Sequence, residues 1–308
     1  MPVNIRYALY GVLGLLITAT LIIGFKHLFK PGKDDHELWL RMRSWWVMAG
    51  LFILVIAINR ELTILFFLLV SSLALKEYFN IIPMRCADRQ VLVWAYLAIP
   101  LQYLWVWQEW YGMFIIFIPV YMFLFMQLRM IFEGETEGFL KATGTLHWGL
   151  MTTVFSLSHA AYLLALPNSV NPLANSAGLL LFLVFLTQFN DVMQYVWGKL
   201  VGGMKIVTKI SPNKTLSGLL GGVATTTLLA WLLAPYLTPL TRWESVAAGA
   251  IIGIGGFIGD ITISALKRDI GIKDTGNLIP GHGGILDRVD SLTFTAPLFF
   301  HFVYYLHY

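Results

Sequence analysis

Residues 245–268 read Ser245-Val-Ala-Ala-Gly-Ala-Ile-Ile-Gly-Ile-Gly-Gly-Phe-Ile-Gly-Asp260-Ile-Thr-Ile-Ser264-Ala-Leu-Lys267-Arg268, an apolar run broken by a single carboxylate before its basic end. A hydrocarbon core of about 30 Å needs about 20 apolar residues in a helix, so this stretch is a membrane span. The same test finds further runs near 7–26, 45–59, 61–80, 90–107, 111–130, 145–166, 176–198, 216–236 and 291–306. The fold class that follows is all-α: a polytopic helical bundle of about ten transmembrane helices. Asn59-Arg60-Glu61 is a thin break, and it leaves the second and third spans open to merger.

Composition agrees. Of the 308 residues, 57% are apolar and 12% charged, about half the charge of a soluble domain. A water-soluble protein is thereby excluded, as are disordered and collagen-like chains. One cysteine, Cys86, allows neither an internal disulfide nor a Cys zinc site or CxxC redox pair. The first span has only Arg6 before it and no small-residue cleavage site after it, so it reads as a retained span rather than a signal peptide. Residues 1–175 form an N-terminal transmembrane region and 176–308 a C-terminal catalytic region, within one membrane domain.

The basic residues orient the bundle. Lys26, Lys30, Lys33, Arg41, Arg43, Lys76, Arg85, Arg89, Arg129, Lys141, Lys199, Lys205, Lys209, Lys214, Lys267, Arg268, Lys273 and Arg288 fall on one side, and only Arg6, Arg60 and Arg242 on the other. Positive loops stay in the cytoplasm, which predicts both termini outside it. The reactive polar residues also collect on the basic side, so the chemistry is expected to face the cytoplasm.

Asp260 is costly at membrane depth, and Ser264 and Lys267 follow it on the same helical face. An internal Asp260–Lys267 pair is the structural alternative to a functional role. The segment Lys273-Asp-Thr-Gly-Asn-Leu-Ile-Pro-Gly-His-Gly-Gly-Ile-Leu-Asp287-Arg-Val-Asp290-Ser291 has too many turn residues to be a span. Its Pro280–Gly284 run can turn backbone N–H groups inward as an anion nest. Asp287 and Asp290, with Asp260, offer three hard oxygen donors of the kind Mg²⁺ takes. Around the seventh span, Asn190, Asp191, Tyr195 and Lys199 line successive turns. The loop Ser211-Pro-Asn-Lys214-Thr215-Leu-Ser-Gly218 then supplies hydroxyls, a lysine and a helix cap.

These residues resemble the phosphatidate cytidylyltransferases, or CDP-diacylglycerol synthases. The resemblance rests on Ser264-Ala-Leu-Lys267-Arg268, Lys273-Asp274, Pro280-Gly-His-Gly-Gly284 and Asp287-Arg-Val-Asp290. It also rests on Asp191-x-x-x-Tyr195-x-x-Gly198-Lys199 and Ser211-Pro-x-Lys214-Thr215-x-x-Gly218, in the same order. It covers roughly residues 187–291. The family usually has a small residue where this chain has Gln194, a basic one at Asn213 and an acidic one at Ser217, which leaves the reaction type standing and the lipid acceptor open.

The resemblance implies Mg²⁺-dependent transfer from CTP to phosphatidic acid, giving CDP-diacylglycerol and pyrophosphate. It uses two divalent ions or one with a monovalent partner. It implies Asp260, Asp287 and Asp290 as metal ligands and Lys267 on a phosphate. The remaining contacts fall to Asn190, Asp191, Tyr195, Lys199, Ser211, Lys214, Thr215, Ser264, Arg268, Lys273, Asp274, His282, Gly283, Gly284 and Arg288. Asp274 reads equally well as a ligand or as a partner of Lys273 or Arg268, and His282 as a hydrogen-bond donor rather than a ligand. The partners are CTP, the lipid and the bilayer, with no nucleic acid; a homodimer is left open. The lipid phosphate is already ionised, so no side-chain nucleophile is required. The barrier is repulsion between two anions. Two rivals fit less well. A CDP-alcohol phosphotransferase needs a longer aspartate series than Asp287-Arg-Val-Asp290-Ser291. A secondary transporter using Asp191 and Asp260 predicts matching broken helices in both halves. Another lipid monophosphate as acceptor remains an alternative.

Overall fold

The computed structural model describes residues 1–29, 35–83, 85, 89–281 and 283–308; Lys30, Lys33, Cys86 and His282, used in the sequence reading, lie outside them. The described residues are helix and loop, with two isolated β-bridges, Lys205 with Thr215 and Ile279 with Gly283. We number the ten rods α1 (Val3–Phe29), α2 (Asp35–Ile58), α3 (Arg60–Ile81), α4 (Arg89–Trp107), α5 (Tyr111–Phe132), α6 (139–165), α7 (Asn175–Leu200), α8 (Leu216–Leu237), α9 (Arg242–Asp269) and α10 (Leu292–His307). Eight are long and apolar enough to cross a membrane. The other two are α6, which passes through a π-helical turn at Met151–Phe155, and the short α10.

The break left open between the second and third spans is real. Asn59 is extended, and its side chain accepts the Leu62 N–H at 2.8 Å, capping α3 and ending α2. A π-helical turn in α5, Phe117–Met122, contains Pro119, which has no N–H to give the regular ladder. α9 starts on a capping box, with Thr241 and Glu244 each accepting the other's backbone N–H.

Lipid offers no hydrophobic drive between helices, so close backbone approach decides packing. α8 lies between α7 and α9. Its Gly221 faces the Trp197 ring, and its Gly222 faces Gln194. On α9, Gly249 and Gly253 meet Thr227 and Val223 of α8, while Gly255 and Gly256 meet Thr295 of α10. The two glycine faces of one helix thus take a neighbour each. In the first half, Gly149 of α6 receives the Tyr78 ring of α3, whose hydroxyl donates to Thr145 O at 2.8 Å.

Polar groups gather at the two ends of the bundle. At one end Arg60 pairs with Glu109, and Arg242 donates to Trp231 O while lying 4.5 Å above its ring. At the other end the loops 201–215 and 270–291 meet, with Arg268 Nε donating to Ile210 O at 3.2 Å. The candidate residues lie at this second end.

Candidate active site

α9 sets the floor. Asp260, Ser264 and Lys267 share a face, and Ser264 Oγ lies 3.3 Å from Asp260 Oδ1. The Asp260–Lys267 pair does not form. Lys214, at the end of the 201–215 loop, places its amino group 2.5 Å from Asp260 Oδ2 and 3.1 Å from Gln194 Oε1. Lys267 reaches the next loop instead and binds Asp287 Oδ1 at 2.7 Å. Two parallel charge pairs therefore join α9 to the segments before α8 and α10.

Asp287 is enclosed, its side chain 3% exposed and that of Lys267 12%. Its second oxygen accepts the Thr275 N–H (2.8 Å), the Thr275 hydroxyl (3.0 Å) and the Gly284 N–H (3.1 Å). Burial pushes this carboxyl up, but the Lys267 and backbone hydrogen bonds outweigh it and hold the group below its ordinary range. Gly283 has φ +82°, and a Cβ there would lie 2.9 Å from Asp287 Oδ2. The glycine loop thus turns its Gly284 N–H onto its own aspartate. Gly284 spends on Asp287 the donor that the sequence reading reserved for an anion.

Asp290 has a different setting. Gly259 lets the 290–291 backbone sit directly on α9: a Cβ on Gly259 would lie 2.5 Å from Asp290 O and 3.0 Å from Ser291 Cα. That contact brings Asp290 to Asp260. Asp191 of α7 joins them, accepting the Ser291 hydroxyl at 2.9 Å. Asp191, Asp260 and Asp290 lie near enough to repel one another. Burial, then Asp260 and Asp191, push the Asp290 carboxyl well above its ordinary range. Arg288 stands beside this group, its buried Nε without a hydrogen-bond partner. Gly259→Ala should therefore push 290–291 off α9 and cost about 1–3 kcal/mol by overpacking; an unchanged thermal midpoint in detergent would contradict the contact.

The other candidates divide. Asn190 is fully buried and bridges three helices, donating to Gly253 O (3.1 Å) and accepting from Thr226 (3.3 Å). Thr215 caps α8 by accepting the Gly218 N–H at 3.1 Å, and Ser211 lies in the turn before Lys214. Tyr195 is 66% exposed, with Lys199 stacked over its ring at 5.7 Å, so this pair faces outward from α7. Arg268 spends its donors on Ile210 and Ile272 carbonyls rather than on the aspartates. Lys273 and Asp274 are exposed on the loop. His282 falls outside the described residues.

The sequence reading missed Glu77 of α3, which accepts the Ile285 and Leu286 N–H groups, both at 2.9 Å. Its one signal was a carboxylate near the end of an apolar span. Ser291 was also missed, although it sits beside Asp290 in the motif.

The donor set suits a hard cation in kind: three mutually repelling carboxylates beside the Ser264 and Ser291 hydroxyls. Among the described residues no three carboxylate, imidazole or thiol groups already surround one point at ligand distance. The positive charge on Asp260 is Lys214's.

The sequence profile of the cytidylyltransferase family matches residues 39–306. The uncharacterized protein YnbB of Escherichia coli K12 is 46% identical over 301 residues, 98% of this chain and 99% of that protein. A phosphatidate cytidylyltransferase of Synechocystis is 50% identical over 115 residues, 37% of this chain and 39% of its own. One from Staphylococcus epidermidis is 36% identical over 120 residues, 39% and 46% of the two chains. The likeness to proteins bearing that activity thus spans less than half of either partner.

Proposed function

We propose that this chain, which belongs to the cytidylyltransferase family, transfers the cytidylyl group of CTP to phosphatidate at the cytoplasmic surface of its membrane. An oxygen of the lipid phosphate attacks the α-phosphorus of CTP. The bond from that phosphorus to the β-bridging oxygen breaks, and pyrophosphate leaves. The observation that carries the reading is geometric: the 290–291 backbone sits on Gly259 beside Asp260, Ser291 donates to Asp191, and Lys214 pairs with Asp260, all at one end of a membrane bundle.

Asp191, Asp260 and Asp290 would hold Mg²⁺, which when bound supplies the positive charge that lets two anions approach. Lys214, now on Asp260, and Arg288, with a free Nε, are the chain's own cations for phosphate oxygens. The Lys267–Asp287 pair keeps the glycine loop in place. In this reading Asp287 moves from metal ligand to anchor, because both its oxygens are engaged. Exposed Tyr195 and Lys199 suit a place at the headgroup layer, where amphipathic side chains settle.

The test is purified protein with labelled CTP and a panel of lipid phosphates, with and without Mg²⁺. A labelled lipid and pyrophosphate should appear together, only when CTP, Mg²⁺ and phosphatidate are all present. Label transfer to a different lipid phosphate would move the acceptor. No transfer to any of them would overturn the reading.

A further inference from the structure

The loop that carries Asp287 is held from the other half of the chain. Glu77 lies about one turn from the end of α3, 9% exposed. One carboxylate oxygen accepts the Ile285 N–H at 2.9 Å, and the other accepts the Leu286 N–H at 2.9 Å. Thr275 Oγ1 lies 3.3 Å from Glu77 and 3.0 Å from Asp287, so its one proton links the two carboxylates. The loop is shaped to this side chain. A Cβ on Gly276 would lie 3.0 Å from Glu77 Oε1, and one on Gly284 would run into Glu77 Oε2 and Thr275 Oγ1. A second tether comes from α2, where Ser44 Oγ donates to Pro280 O at 2.7 Å and Gly281 packs on Leu40 and Arg41.

We infer that Glu77 is a positioning residue: it fixes where the turn Leu286–Val289 begins, and through it the placing of Asp287, Arg288 and Asp290. The first N–H groups of a helical turn have no partner within it. A carboxylate that accepts two of them makes charge-assisted bonds with a defined direction. Ile285 and Leu286 immediately precede Asp287, so a shift in those two N–H groups turns the side chains that follow. Glu77 and Ser44 thereby give α3 and α2 a task in the reaction. This rests on the cytidylyltransferase reading for its kinetic consequence, but not for its structural one.

Glutamine at 77 keeps the volume but turns an NH₂ toward a backbone N–H, breaking one arm of the clamp. Full-length Glu77→Gln and Glu77→Asp, in detergent or nanodiscs, would be compared with wild type by hydrogen exchange and by steady-state kinetics. Exchange at the Ile285 and Leu286 amides should quicken about tenfold or more, the scale of a lost hydrogen bond to a charged acceptor. The KM for CTP should rise about fivefold or more along with a fall in kcat, because misplaced groups bind and react less well. A purely structural role would thin the active population, lowering apparent kcat with KM unchanged, and that result overturns the inference. So would wild-type exchange at the two amides. Should Glu77→Gln fail to fold, Glu77→Asp, which keeps the charge but is too short for both arms, must show the KM shift. If wild type itself transfers nothing to any lipid phosphate, the enzyme reading fails while amide exchange still decides the clamp.

Discussion

Asp260→Asn and Asp290→Asn should each lower turnover on the order of a thousandfold while leaving the protein inserted and folded. The substitution keeps shape and removes one negative charge from a group of three. Gly256 and Gly259, not that charge, set the approach of α10 and the 290–291 backbone, and at Asp260 the substitution weakens only the partly exposed pair with Lys214. Asp290 lies beside two other carboxylates, so an amide there relieves repulsion. The thermal midpoint of Asp290→Asn should thus equal or exceed the wild-type value. A group that costs stability and is kept by its chemistry has this signature. Lipid-dependent pyrophosphate release, read beside the melting curve, checks both halves. Turnover within a few fold of wild type in either variant would remove the carboxylate group from the reaction.

The bundle was legible because its runs are long: ten apolar segments against a fixed hydrocarbon thickness leave little freedom, and all ten reappear as helical rods. The shared face of Asp260, Ser264 and Lys267 was legible too, since it needs only the helical period. Their partners were not. Whether Lys267 turns back to Asp260 or across to Asp287 depends on how close α9 comes to the following loop, and Gly259 settles that through a contact no spacing rule contains. Asp191 and Tyr195, four apart, looked equivalent. Yet Asp191 meets Ser291, which precedes α10, while Tyr195, one turn further along, lies 66% exposed. Glu77 was the hardest to see. Its partners lie some two hundred residues away, and a lone glutamate at the end of a span reads as a surface charge.

Lys267→Met should cost about 3–5 kcal/mol of stability, since it leaves the carboxylate of Asp287 buried without its cation. Asp287→Asn should cost less than that in charge but more in loop order: it strands Lys267 and sets an NH₂ against donors from Thr275 and Gly284. The double variant removes both buried charges, so its loss should fall short of the sum of the two single losses. Acid separates the variants further. The folded Asp287 carboxyl is held low, so its contribution is present above the unfolded value of about 4 and is lost as pH falls through the lowered folded value. Wild type should therefore shed this part of its stability only below about pH 4, whereas Asp287→Asn, with nothing to titrate there, should lack that step. Strict additivity in the double variant, together with wild-type acid behaviour in Asp287→Asn, would show that Lys267 and Asp287 do not act as a pair. The glycine loop would then need another anchor.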